Sequence, residues 1–194
     1  MSVPNQKEWE NTFKAVFGEL NNCKIHKTAY NSFSARNALR YTTKDEGMYK
    51  CESCERTWHS INALAEFEYR LSKDGSNYQG DVTLVLNGQS CKEDDCDKNV
   101  FIKPVFDEES IERILEKLLI KVKQKFYTVG DGENLELRYD ALNDFHFEGS
   151  GSHLSEFCEG CKKGTCQSKA TVPRSNYHRR KPYGRNTGMG SNIR

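Results

Sequence analysis

Two stretches of helical periodicity, several short stretches of apolar alternation and three clusters of cysteine predict an α+β fold. The expected architecture is a small antiparallel β core stapled by metal, with two amphipathic helices and a disordered C-terminal tail. The 194 residues fit one domain with an extension better than two full domains. Ten Phe, nine Tyr and two Trp supply enough aromatic surface for a core. No run approaches the ~18 apolar residues of a membrane span, so an integral membrane protein is not expected. Met1 to Glu10 has no apolar h-region, so no signal peptide is expected either. With no N-x-S/T acceptor, the composition fits a cytosolic chain whose eight cysteines need an explanation.

The first element is a helix over residues 8–20. Trp9, Phe13, Val16, Phe17 and Leu20 recur on one face at helical spacing. Residues 21–46 are polar and irregular, with a short helical turn expected from Ala35 to Tyr41. Gly47 to His59 reads as a strand, a knuckle turn and a second strand. Phe67, Tyr69 and Leu71 alternate within Glu66–Leu71, and Val82, Leu84 and Leu86 do so within Val82–Leu86; both are strands. Ser72 to Gly80, with Asp74-Gly75, is the turn between them. Asn87-Gly88 signals a tight turn leading to Cys91. Val100 to Val105 is a short strand interrupted by Pro104.

The strongest helix covers 107–127. Asp107 is its N-cap, and Glu108 and Glu109 sit in its first turn. Ile111, Ile114, Leu115, Leu118, Val122 and Phe126 form a continuous apolar stripe. Lys121, Lys123 and Lys125 lie near the end, where the helix dipole favours cations. Leu135 to Leu142 is compatible with either a strand or a helix.

The cysteines fall in three groups: Cys51-x2-Cys54, Cys91-x4-Cys96, and His153-x4-Cys158-x2-Cys161-x4-Cys166. A tight turn lets two thiolates separated by two residues converge on one ion. With Cys23 set aside, seven cysteines and one histidine make eight ligands, enough for two tetrahedral Zn²⁺ sites. Disulfides would suit a secreted chain. A redox Cys-x2-Cys would open a helix, whereas this one lies between strands. Thiolate-rich sets close a site, so both zincs are expected to be structural. The simplest pairing puts Cys51, Cys54, Cys91 and Cys96 on one ion and His153, Cys158, Cys161 and Cys166 on the other; a crossed arrangement is equally drawable. Cys23 and His26 could add ligands, but a buried or free thiol is the simpler reading of Cys23. His59 and His146 have no ligand-like spacing.

Charge is unevenly placed. Residues 167–194 hold seven basic side chains and no acidic ones, so residues 1–166 carry 22 basic and 28 acidic, a net of −6. The expected organisation is therefore 1–46, a helix and irregular segment packing on the core; 47–166, the zinc-binding domain; and 167–194, a disordered basic tail. Tyr177 and Tyr183 interleave with the basic residues of that tail, which could meet RNA through phosphate contacts and stacking. His178 to Pro182 could instead act as a nuclear import signal, or the tail could simply aid solubility. Lys50, Arg56, Lys162, Lys163 and Lys169 lie near the cysteines and could form a basic patch.

At the cysteines the chain resembles a known family. Met48 to Trp58, around Cys51 and Cys54, is similar to the first knuckle of the receptor-transporting proteins, a 3CxxC-type zinc-finger family. Gly88 to Cys91 resembles the approach to their second pair, and Gly151 to Cys166 their third cluster. The helices around Trp9 and over 107–127 also sit where that family has them. The likeness covers nearly all of residues 5–166. Cys91-x4-Cys96 departs from the family's usual two-residue spacing. Many members carry a C-terminal membrane anchor, whereas residues 167–194 are basic and poor in apolar side chains, so constitutive membrane attachment is not expected.

The resemblance implies a chaperone-like accessory protein that helps seven-helix receptors, olfactory, taste and opioid types among them, reach the cell surface. It implies action on the cytosolic face of the ER or plasma membrane. Trp9, Phe13 and Phe17 are then candidates for a receptor-facing surface. The alternative it implies is an RNA-binding zinc-finger protein with an antiviral or translational role. An enzyme is not expected, nor a small-molecule substrate: there is no G-x-S-x-G, H-E-x-x-H or P-loop.

Overall fold

A computed structural model describes residues 3–18, 20, 23–26, 38–74, 77–126, 135–143 and 153–166. Its elements are α1 (Gln6–Phe17), β1 (Cys23–His26), β2 (Leu39–Lys50), β3 (Thr57–Asp74), β4 (Asn77–Asn87), α2 (Glu108–Phe126), α3 (Leu135–Asn143), a 3-10 turn at Ser155–Phe157, and α4 (Glu159–Lys163). The class is α+β, as the periodicities predict. The sheet order is β1-β4-β3-β2. β2, β3 and β4 form an antiparallel meander, and the short β1 joins β4 in parallel.

One face of this sheet is apolar because alternate residues share a side. Phe67 pairs with Leu84, Tyr69 with Val82 and Ala65 with Leu86, and all six are buried. α2 lays its stripe on the same core: Ile111, Ile114, Leu115, Leu118 and Val122 are all buried. Asp107 caps it, its Oδ1 accepting the Ser110 N–H at 2.8 Å. α1 packs on α2 and completes the core. Trp9 meets Phe106 edge-on at 5.7 Å, and Phe13 stacks on Phe17 at 4.2 Å. Trp9, Phe13 and Phe17 are each 2% exposed. They are core residues and offer no receptor-facing surface, contrary to the expectation drawn from the family likeness.

Several elements differ from the sequence reading. Residues 39–46, expected to be irregular with a helical turn reaching Tyr41, are the first part of β2. Their inward positions include Thr43 and Asp45, so the apolar alternation that betrays a strand is missing. Residues 57–59 and 66–71 belong to one strand, β3. The pairing of β3 with β4 continues to Asp74↔Asn77, well inside the stretch read as a turn. Val100–Val105 is not a strand: Ile102 bridges Gln89 and Val105 bridges Met48, and Pro104 between them has no N–H to donate. Leu135–Asn143, open between strand and helix, is the helix α3. Among the described residues, no helix is long and apolar enough to cross a membrane.

A β-bulge falls in β2 between Asp45 and Gly47. A Cβ at Gly47 would stand 2.7 Å from the Ala63 Cβ, so the close approach to β3 and Pro104 requires glycine there.

Candidate metal centres

Cys51 and Cys54 lie in the turn between β2 and β3. The Cys51 N–H donates to the Arg56 carbonyl at 2.8 Å and closes that turn. Glu55 takes a left-handed conformation, φ 60°. Cys91 and Cys96 come from the loop after β4, where the Cys96 N–H donates to the Glu93 carbonyl at 3.0 Å. The four sulfurs lie within 4.8 Å of one another. Cys51 Sγ and Cys96 Sγ are 3.8 Å apart, and Cys54 Sγ and Cys91 Sγ 3.7 Å. A tetrahedron with Zn–S bonds of ~2.3 Å has edges of about 3.8 Å, whereas a disulfide would be ~2.05 Å. The donor set fits zinc.

The second group is His153, Cys158, Cys161 and Cys166, also within 4.8 Å of one another. Its frame is α4, which starts after Cys158 and ends at Gly164, φ 74°, a left-handed C-cap suited to glycine. The N–H groups of Thr165 and Cys166 both donate to the Gly160 carbonyl and turn the chain back. His153 Nε2 stands 3.0 Å from Cys161 Sγ and 3.6 Å from Cys166 Sγ. The second set therefore also fits a tetrahedral zinc, with three sulfurs and one nitrogen. The two groups follow the uncrossed pairing. With four protein donors each, they fit structural ions, which would staple loops that have little core of their own.

The thiols show why a cation belongs here. The backbone N–H of Cys54, with further hydrogen bonds, pulls the Cys51 thiol down to about 6. Its hydrogen bond with Cys54, burial and the neighbouring sulfurs push Cys96 up to about 12. Burial and the neighbouring thiols push Cys161 to about 12 as well. Crowded thiols cannot all ionise alone, and a divalent cation removes that obstacle. Burial, helped by the Lys44 charge, lowers the His153 pKa and favours the neutral ring that ligates metal.

The two centres are stitched together by the segment 88–91. Gln89 bridges both Ile102 and Cys158, and the Ser90 N–H donates to the Phe157 carbonyl at 2.8 Å. Glu159 clasps Gly88 twice: its N–H donates to the Gly88 carbonyl at 3.0 Å, and its Oε2 accepts the Gly88 N–H at 2.6 Å. Lys103 and Lys163 each approach the same carboxylate to 2.6 Å. Burial opposes ionisation of Glu159, yet these lysines and the Gly88 N–H hold its carboxyl below the usual range. Sequence reading missed Glu159, because its partners Gly88 and Lys103 lie 71 and 56 residues away.

The other candidates divide as follows. His59 is exposed and sits 3.3 Å from Glu46. Cys23 and His26 fall in β1, and their side chains are outside the described set; His146 and residues 167–194, with Lys169, Tyr177 and Tyr183, are outside the described residues. Of the suggested basic patch, Lys50 pairs with Glu55, Arg56 with Glu93 and Lys163 with Glu159. Lys162 lies over the Phe101 ring at 4.7 Å.

Residues 44–164 match the model of a zinc-binding domain family, the 3CxxC zinc ribbon. The chain is 27% identical over 163 residues to human receptor-transporting protein 4. It is 29% identical over 118 residues to mouse receptor-transporting protein 2, and 30% over 127 residues to mouse receptor-transporting protein 3. These alignments take in 81%, 61% and 66% of this chain, and 63%, 48% and 25% of the respective relatives. The chain thus spans less than two thirds of each of these relatives. No solved structure matches it significantly.

Proposed function

Because the chain belongs to the 3CxxC zinc-ribbon family of the receptor-transporting proteins, we propose that it is a zinc-stapled accessory protein that promotes delivery of seven-helix receptors, such as olfactory or taste receptors, to the cell surface. Residues 47–166 form the zinc-binding unit of this reading, with 1–46 packed on it and 167–194 a basic extension. Cys51, Cys54, Cys91 and Cys96 hold one ion; His153, Cys158, Cys161 and Cys166 hold the other. The protein acts without catalysis, at the cytosolic face of the ER or plasma membrane. The observation that carries this reading is the match to three receptor-transporting proteins, across a chain that assembles both sulfur-rich centres.

The described part does not favour the RNA-binding alternative, because the basic residues Lys50, Arg56 and Lys163 are spent on carboxylates. The deciding experiment is co-expression with a panel of seven-helix receptors, reading surface receptor by antibody on intact cells. Surface levels should rise with the wild-type chain and return to baseline with Cys54→Ser or Cys161→Ser. A chain that leaves every receptor's surface level unchanged, while folded and zinc-loaded, defeats the proposal.

A further inference from the structure

Beside the first zinc centre, the Cys51–Cys54 turn and residues 97–105 enclose an open cleft of about 390 Å³. That volume lies within the ~300–1,000 Å³ of ordinary binding clefts. Pro4, Val100, Phe101, Ile102 and Val105 give it an apolar lining. Val100 is 57% exposed, a large aliphatic side chain left open to water inside a concave surface.

The rim is acidic. Glu52 and Asp97 line the cleft, and the Cys91–Cys96 loop, whose end cysteines also line it, carries exposed Asp94 and Asp95. Among the described residues, no ion pair involves any of these four carboxylates. The two lysines of the lining are already matched: Lys50 lies 2.5 Å from Glu55, and Lys103 2.6 Å from Glu159. Four thiolates around one Zn²⁺ would leave a further net charge of about −2 at the cleft wall. The surface thus combines an apolar seat with four carboxylates outside any described ion pair, which outnumber Lys92 and Lys98 of the same stretch. Such a surface repels polyanions and selects cationic partners with an apolar anchor.

We infer that this cleft binds a Lys/Arg-rich peptide segment whose aromatic or aliphatic side chain seats against Val100, and that its source is a cytoplasmic loop of a membrane receptor. The chemistry follows from the cleft alone. The source rests on the function proposed above, since short cytoplasmic loops of membrane proteins carry an excess of Lys and Arg.

The test uses the full zinc-loaded chain and a short synthetic peptide rich in Lys and Arg around one Trp, with binding read from Trp fluorescence. Wild-type protein should bind it, and added salt should weaken the complex. Asp94→Asn/Asp95→Asn/Asp97→Asn should weaken it about tenfold, each exposed rim charge contributing a modest share. Asn at 97 keeps an acceptor for the Asn99 N–H, so the loop retains that hydrogen bond. Val100→Ser, or Ser for Trp in the peptide, should weaken binding by a similar factor without the salt dependence changing. The inference is overturned if wild type does not bind the peptide, or if the variants bind as wild type does. It is overturned as to occupant if wild type binds only after Arg179, Arg180 and Lys181 are replaced by Ser, because the chain's own basic segment then fills the cleft. Receptor surface levels separate the two proposals. Peptide binding with no effect on any receptor leaves the cleft standing and removes the proposed function. Raised receptor levels with no peptide binding do the reverse.

Discussion

Arg113 on α2 donates through Nη2 to the buried carboxylate of Asp45 on β2 at 2.7 Å. Its Nε reaches the other oxygen at 3.3 Å, and the buried Lys117 ammonium stands 3.6 Å from that oxygen. One carboxylate at the β2 bulge therefore answers two cations on the helix that covers the sheet. A charge is tolerated in such a place only while its partner is present. Asp45→Ala should lower the free energy of unfolding by about 3–5 kcal/mol, because it removes the buried carboxylate that faces Lys117 and Arg113. Lys117→Met removes the more distant cation for an apolar chain of similar length and should change stability by about 1 kcal/mol or less. Urea titration of the zinc-saturated variants measures both. Equal losses would mean that Lys117, not Arg113, is the main partner.

The aromatic face of α1 belongs to the core, so its substitution acts on folding. Phe13→Ala should cost about 3–5 kcal/mol in the same urea titration, the usual loss for a buried phenylalanine. Surface receptor levels should fall only in proportion to the folded protein remaining in the cell. A Phe13→Ala protein of wild-type stability would show that the face is not packed as described.

Tyr49 is 1% exposed, stacks on Trp58 at 5.3 Å, and its hydroxyl has no hydrogen-bond partner among the described residues. Burial, with the neighbouring Cys158 charge, raises its pKa far above the ordinary tyrosine value of about 10. A group raised in the folded state contributes stability that is whole below its unfolded pKa and fades as pH climbs beyond it. Stability should therefore fall above about pH 10, at up to ~1.4 kcal/mol per pH unit for this tyrosine. Tyr49→Phe should flatten that slope, and should also be neutral or stabilising at pH 7, because it deletes an unpaired buried hydroxyl. Thermal melts of the two proteins between about pH 8 and pH 11, which bracket the ordinary tyrosine pKa, decide it.

Parts of this architecture were legible because they are written locally. The stripe of α2 and the order of cysteines along the chain need only spacing to be recognised, and both survive into the structure. The first half of β2 was not legible. Its inward positions are Thr43 and Asp45, and the reason for Asp45 is Arg113, 68 residues later. The span of β3 was hidden for a related cause: buried Asn62 interrupts the apolar alternation and finds its partner in Lys44 across the strands. The clasp of Glu159 on Gly88 likewise joins a residue to a backbone that no local pattern connects to it. The packing of α1 on the core was legible in its apolar face, but not which residues cover that face; Phe106 and Phe67 do so for Trp9 and leave no receptor-facing surface there.

Glu55 holds φ 60° without being glycine, in the turn that presents Cys51 and Cys54. A left-handed conformation costs an L-residue roughly 1–2 kcal/mol, and Glu55 offers only an exposed ion pair with Lys50 in return. Glu55→Gly should therefore stabilise the zinc-loaded protein slightly, by about 0.5–1 kcal/mol after the added entropy of the unfolded chain. Glu55→Val, β-branched at the same position, should destabilise it. Chelator challenge gives a second readout: the Gly variant should lose zinc more slowly than wild type and the Val variant faster. The reverse order would remove the turn from the determinants of zinc retention.

Separate centres make a prediction about stoichiometry. Cys54→Ser removes a donor whose sulfur lies 3.7 Å from Cys91 Sγ, and Cys166→Ser one whose sulfur lies 3.6 Å from His153 Nε2. Because the donor groups share no residue, each substitution should reduce bound zinc from two ions per chain to about one, and the pair together to about none. Cobalt in place of zinc distinguishes the survivors, since four thiolates and three thiolates with one imidazole give different tetrahedral ligand fields. Removal of both ions by a chelator should unfold the loops around Cys96 and Cys161 and, through the Gly88–Glu159 clasp, loosen the edge formed by 88–91. Acidification should release the metal in the same way, because protons compete for the thiolates and for His153. Mass spectrometry of the native protein counts the ions directly. A single substitution that empties both centres would show that the clasp couples them into one cooperative unit.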